Sequence, residues 1–180
     1  MPVTPLHYPI GFALSKTSKR LSLPGLVVGS FIPDLEVPIM WITFPSLPDH
    51  LVLHSLVGAL TIGTLAAIIL TRFLYAPVVS MLFGVDRERL DEACRVTPAL
   101  VLSCMLGAVF HIALDIPMHP YNPVLWPWIN PFEIVGFLVP LIGFGGANLL
   151  LSVAMGIGGV AILLRYLDER LWERVWLGDN

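Results

Sequence analysis

Three long runs without a charged residue constrain the fold of this 180-residue chain more than any other feature. Residues 51–70, 96–114 and 134–164 are runs of 20, 19 and 31 residues that contain no Asp, Glu, Lys or Arg. An α-helix rises about 1.5 Å per residue, so about 20 apolar residues cross the roughly 30 Å of hydrocarbon in a bilayer. The runs therefore predict helices that span a membrane.

The third run is longer than one straight crossing needs, so we predict a short helix at 132–143 followed by a full span at 147–166. The predicted break contains one proline and three glycines: Pro140, Gly143, Gly145 and Gly146. Three earlier apolar stretches are each too short to span alone, and they predict half-membrane or tilted helices. These stretches are 8–15, 21–32 and 37–44.

The expected fold class is therefore all-α: a multi-pass integral membrane helical bundle with about three full spans plus short half-membrane or re-entrant helices. We expect residues 1–180 to form a single membrane-embedded domain. Within it, 86–95 is a charged connector between two spans, and 167–180 is a surface helix or tail in which charges alternate with Leu, Trp and Val.

The scarcity and placement of charge exclude some functions and predict an orientation. Only 13% of the residues are charged, with ten Lys and Arg and a net charge of -3, so the chain lacks the basic excess of a nucleic-acid-binding protein. All ten basic residues can be placed at one end of the spans and all five histidines at the other. The positive-inside rule then predicts a protein of the cell (inner or plasma) membrane whose basic loops and C-terminus are cytoplasmic and whose histidines lie toward the non-cytoplasmic side.

The segment FHIALDIPMH carries the strongest chemical signal. His111 and Asp115 are four residues apart, which places them on one face of a helix, and Pro117 should end that helix and let His119 fold back. Imidazole and carboxylate at this spacing are typical metal ligands. Ionisable groups inside an apolar bundle are costly and usually mark a functional site.

Further donors come from earlier segments. In PDHLVLHS we predict Asp49 as a helix N-cap, with His50 and His54 one helical turn apart. The predicted metal ligands are His7, Asp34, His54, His111, Asp115 and His119.

Asp34 or Glu36 is the predicted general base, while His50 and Glu36 are the residues most expected to lie outside the ligand set. Because five histidines exceed what one tetrahedral zinc needs, the surplus permits either supporting contacts or a second metal. The expected cofactor is one or two divalent ions, Zn or Mn.

Five short motifs occur in a recognisable order between residues 1 and 130. They are T-P-x-H (Thr4, Pro5, His7), P-D-x-E (Pro33 to Glu36), H-S (His54, Ser55), G-x3-H-x3-D-x3-H (Gly107, His111, Asp115, His119) and L-W-P (Leu125 to Pro127). This order resembles the YdjM-type inner-membrane proteins, which are described as metal-dependent hydrolases. The resemblance implies a multi-pass membrane protein whose matched His and Asp residues bind a metal. Members often read P-D-x-D-H, where this chain has Glu36 and Val37.

These observations predict hydrolysis of an ester or phosphoester, lipid or lipid-linked, by a metal-activated water. The expected partners are membrane lipids and a lipid-like substrate, and no nucleic acid. Two alternatives stay open at this point: a small transporter or proton- or metal-handling protein, and a non-catalytic scaffold with a structural metal.

Overall fold

The computed structural model describes residues 4–167 and 170–178, and every regular element within them is helical. The α-helices are α1 (Tyr8–Thr17), α2 (Leu23–Phe31), α3 (Glu36–Thr43), α4 (Leu56–Phe83), α5 (Arg87–Ala93), α6 (Pro98–Asp115), α7 (Val139–Arg165) and α8 (Leu171–Leu177). Short 3-10 turns cover Thr4–His7, Pro33–Leu35 and Pro131–Glu133. The all-α fold class is confirmed.

Within the described residues, four helical segments are long and apolar enough to cross a membrane, and three of them, α4, α6 and α7, correspond to the uncharged runs. The fourth is Leu23–Thr43, in which α2 and α3 continue into one another through the turn at Pro33. Ile32 and Glu36, on either side of that turn, both keep helical backbone angles. The stretches 21–32 and 37–44, predicted as half-membrane or tilted helices, are therefore joined in one continuous helical segment, Leu23–Thr43.

Helix α4 begins later than the uncharged run, because Ser55 caps it. The Ser55 hydroxyl oxygen accepts a 3.0 Å hydrogen bond from the backbone N–H of Gly58. The prediction that Asp49 caps this helix, with His50 and His54 on one of its faces, is wrong. These residues lie in the non-helical loop 44–55.

The predicted break in the last apolar run is confirmed at Gly143, whose φ of 71° is left-handed. The predicted helix at 132–143 is wrong in its extent, because α7 begins only at Val139 after an irregular segment. Only 6% of the most apolar window of α7 is buried inside the protein. Most of its residues are therefore exposed or only partly covered, and the covered ones lie against α1 and the Thr4–His7 turn.

Helices α2 and α6 cross with their backbones in contact at two glycines. A Cβ atom on Gly29 would lie 2.3 Å from the carbonyl oxygen of Cys104, and one on Gly107 would lie 2.4 Å from that of Leu26. Small residues at such crossings let helices approach closely. The approach brings the backbone of Ser30 against His111.

At the opposite end of the spans, the two short helices α5 and α8 pack on the bundle. Tyr8 and Tyr75 each donate a 2.7 Å hydrogen bond to a backbone carbonyl of α8. The charged connector at 86–95 contains α5, which is capped by Asp86. The predicted surface segment 167–180 contains α8, and its residues 168, 169, 179 and 180 lie outside the described residues.

Candidate metal centre

One buried cluster brings all five histidines together with three carboxylates. Each of its members is at most 8% exposed. They are His7, Asp34, Glu36, His50, His54, His111, Asp115 and His119. The cluster joins the N-terminal turn, the Pro33–Leu35 turn with the start of α3, the loop 44–55 and the C-terminal end of α6.

Helix α6 supplies His111 and Asp115 from one face, as the sequence predicts. The Nε2 atom of His111 lies 3.3 Å from an Asp115 carboxylate oxygen. Its Nδ1 atom lies 2.7 Å from the Ser30 carbonyl oxygen, a contact that the close α2–α6 crossing permits. The helix ends at Asp115, and His119 folds back so that its Nδ1 atom lies 3.0 Å from the Asp115 carbonyl oxygen.

Glu36 holds the loop that carries His54. Its carboxylate accepts hydrogen bonds from the backbone N–H groups of Leu51, Val52 and Leu53, two of them 3.1 and 3.0 Å long. It also lies 3.0 Å from Nδ1 of His54. Both carboxylate oxygens are thus occupied by donors, which favours an orienting role for Glu36 over the general base predicted from the sequence.

Asp49 orients His50 in the same way. One Asp49 oxygen lies 2.8 Å from Nδ1 of His50 and also accepts the Tyr121 hydroxyl, and the other accepts the indole N–H of Trp41. Burial raises the pKa of Asp49, but the hydrogen bonds from Tyr121, His50 and Trp41 outweigh it and lower the pKa to about 2. Asp49 is therefore ionised at neutral pH and acts as a permanent acceptor for His50.

These contacts decide which ring nitrogen carries the proton. In His50, His54, His111 and His119, Nδ1 faces a carboxylate or a backbone carbonyl, and these acceptors have no proton to donate. When such a ring binds a metal, Nδ1 therefore keeps the proton and Nε2 offers the lone pair. Burial lowers the pKa of His54 to about 4, against the opposing effect of Glu36, so that ring is neutral at pH 7.

The Nε2 atoms of these four rings find no hydrogen-bond partner within the described residues. The same holds for both ring nitrogens of His7 and both carboxylate oxygens of Asp115. An unsatisfied buried polar group costs about 1–3 kcal/mol, so this set would consume much of the roughly 5–15 kcal/mol by which a folded domain is stable. Lone pairs that face one another across a buried space are compensated by a cation, and the residues present therefore fit a metal ion.

Among the residues that the structure describes, the donor atoms form two sets, each with all of its atoms within 4.8 Å of one another, and each could hold a metal ion. We name them the His54 group (Asp34, His50, His54 and Asp115) and the His7 group (His7, His111 and Asp115). In the His54 group, Nε2 of His54 lies 4.0 Å from Asp34 and 3.8 Å from Asp115. Asp115 belongs to both groups.

Five of the six predicted ligands lie in these groups. His119 is in the cluster but belongs to neither group among the described residues, while His50, which the sequence placed outside the ligand set, belongs to one. The sequence feature that could have identified His50 as a ligand is the carboxylate immediately before it. Asp49 holds the His50 ring so that its Nε2 points toward the other donor atoms. Asp49 and Tyr121 are supporting residues that the sequence analysis did not assign to the site.

Comparison with known proteins identifies the family of this chain. Residues 1–172 match the family described as Domain of unknown function (DUF4184). The chain belongs to the DUF4184 family. No curated protein and no solved structure matches it.

A small cleft in this DUF4184 protein reaches the donor atoms of the His54 group. It is lined by His50, His54, Asp115 and His119 on one side and by Tyr121 to Val124 on another. Its volume of about 10 Å³ suffices for about one water molecule. The site therefore combines potential metal ligands with a space about the size of one water molecule.

We expect the Glu36→Gln variant of this DUF4184 protein to bind metal about 10- to 100-fold more weakly, the usual cost of losing a group that orients a ligand. All four contacts of Glu36 are donors, so the new amide N–H₂ would face donors and displace His54. Titration of the metal-free protein with Zn²⁺ measures the change. The exposed Glu133→Gln variant is the matched control, and equal affinity in the two variants would contradict the orienting role.

Proposed function

We propose that this protein is a membrane-embedded, metal-dependent hydrolase that acts on an ester or phosphoester, with a lipid or lipid-linked compound as substrate. The observation that carries the proposal is the set of inward-facing Nε2 atoms around Asp34 and Asp115. Neutral imidazoles and carboxylates suit Zn²⁺ or Mn²⁺. The resemblance of the motif order to YdjM-type hydrolases points to the same activity.

A bound divalent ion would supply a water of lowered pKa and would polarise the oxygen of the ester or phosphoryl group. The chain contributes the rest. Asp49 and Glu36 orient the rings of His50 and His54 through Nδ1, so these two ligands need no rearrangement to bind. Of the two carboxylates predicted as general base, we favour Asp34, because it faces the Nε2 atoms of His54 and His111 at 4.0 and 3.5 Å, whereas Glu36 faces Nδ1 of His54 and the backbone of the loop.

The surface beside the cleft supports a lipid-like substrate. The segment that lines the cleft at Tyr121 to Val124 continues into large apolar side chains that are well exposed, including Trp128 at 74% and Phe132 at 61%. Trp41, which contacts Asp49, is 66% exposed. Exposed Trp and Phe residues suit the interface between hydrocarbon and water, where lipid headgroups lie.

The arrangement of basic residues supports the proposed orientation. Two neighbouring cavities share Arg89 and are lined by basic residues from the loop after α1, from α5 and from the C-terminal segment. These residues are Lys19, Arg20, Arg89, Arg165, Arg170 and Arg174. By the positive-inside rule this end is cytoplasmic, so the metal centre faces the non-cytoplasmic side of the cell membrane.

We expect metal removal to abolish hydrolysis. Protein purified in detergent is analysed for bound metal by mass spectrometry and tested against lipid phosphomonoesters, phosphodiesters and carboxylic esters. Chelation should remove both metal and turnover, and added Zn²⁺ or Mn²⁺ should restore turnover. Full activity in metal-free protein would contradict the proposal. Bound metal without turnover of any of these substrates would instead favour a structural metal, and metal flux in proteoliposomes would favour a transporter.

A further inference from the structure

We propose that Asp115 is shared by two divalent metal ions, one bound by the His7 group and the other by the His54 group. The inference deepens the proposed function and rests on it for the choice of substrate, because it concerns the same site. It states that two ions bind and that the Asp115 carboxylate contacts both of them.

The two oxygens of Asp115 face different histidines. Oδ1 lies 3.4 Å from Nε2 of His7. Oδ2 lies 3.8 Å from Nε2 of His54 and 3.3 Å from Nε2 of His111. Since neither oxygen has a hydrogen-bond partner among the described residues, both lone-pair sets are available to cations. A carboxylate in this position can bind one ion through each oxygen.

A single ion does not account for all of the donors. Zinc takes about four ligands at about 2.0–2.2 Å, so two donor atoms on one ion are at most about 4.4 Å apart. An ion in the His54 group, which already offers four residues, would leave Nε2 of His7 buried and unpartnered. Nε2 of His111, 3.3 Å from Asp115 and 3.5 Å from Asp34, would be a fifth donor beside that ion. These two rings are stacked with centroids 4.0 Å apart, and both nitrogens face Asp115. A second ion provides the missing partner for both.

A second ion also bears on the substrate. It adds two positive charges beside buried carboxylates whose described ion pairs are otherwise with histidine. Such a centre attracts an anion more strongly than a centre with one ion does, and paired ions are common in enzymes that cleave phosphoesters. The geometry therefore favours an anionic phosphoester over a neutral carboxylic ester.

The experiment counts metal ions and detects their proximity, independently of turnover. Metal-free protein is titrated with Mn²⁺, bound metal is measured by mass spectrometry, and the loaded protein is examined by electron paramagnetic resonance. We expect two ions per chain and an exchange-coupled signal in the unmodified protein. The His7→Gln and His50→Gln variants should each keep one ion and show an uncoupled signal, whereas Glu133→Gln, an exposed control, should keep two coupled ions.

Saturation of the unmodified protein at one ion, or two ions without coupling, would overturn the proposal. The Asp115→Asn variant should lose the coupling, and if it does not fold, the two histidine variants still decide the question. Turnover by the unmodified protein when it is saturated with one ion would overturn the shared site while leaving the proposed hydrolysis intact. Two coupled ions with no turnover of phosphoesters would support the shared site and contradict the hydrolysis.

Discussion

We expect the Gly107→Leu variant to lose the folded bundle. A Cβ atom at this position would lie 2.4 Å from the Leu26 carbonyl oxygen and 2.8 Å from the Ser30 backbone nitrogen. Both are backbone atoms that cannot rotate away, so α2 and α6 would have to separate. Overpacking costs about 1–3 kcal/mol even where side chains can adjust, and we expect a larger loss here. Thermal unfolding in detergent measures it.

The same variant should lose metal, because separation of the helices breaks the contact between Ser30 and His111. Gly107→Ala should show a smaller loss of the same kind. The matched control is Gly156→Ala in α7, where an added Cβ would meet nothing within 4 Å. A Gly107→Leu protein with unchanged melting temperature and metal content would show that the close crossing is not required.

We expect the His111→Ala variant to lose metal binding and, with it, hydrolysis. His111 is 1% exposed, and its Nε2 lies within 3.5 Å of both Asp34 and Asp115. Its removal deletes a donor and leaves two carboxylates without their nearest imidazole. The loss of metal affinity should exceed the roughly 10- to 100-fold that follows from the loss of an orienting group.

The His119→Ala variant makes this test specific. The sequence predicts His119 as a ligand, whereas the structure places it outside both donor groups of the described chain. We therefore expect a smaller loss of metal affinity than in His111→Ala, measured by the same titration. Equal losses of metal affinity in the two variants would show that His119 is a metal ligand, as predicted from the sequence.

The fold follows from the sequence where length and hydrophobicity suffice. The three uncharged runs predict three spans, and the glycine that breaks the last run is Gly143. The fourth span is not visible in the same way, because Asp34 and Glu36 interrupt its apolar pattern. The two carboxylates are tolerated in this apolar segment because His54 faces Glu36 and His111 faces Asp34. Both histidines lie far from the segment in the sequence, so its own apolar pattern does not reveal these contacts.

The site could be predicted from the sequence where its residues follow the spacing of a helix, but not where they lie in a loop. His111 and Asp115 lie on one face of α6, as four-residue spacing requires. His50 and His54 have the same spacing but lie in a loop whose shape is imposed by Glu36, at least 14 residues earlier. Periodicity carries no information about such a contact. The resemblance to YdjM-type proteins stays a prediction.

The exposure of α7 bears on how the metal centre is made. Every residue of the two donor groups precedes position 116, and α7 contributes none of them. During synthesis from the N-terminus, the complete donor set is thus translated before α7. Helix α7 does pack against α1 and the Thr4–His7 turn, so it can hold the His7 end of the site in place without supplying a ligand.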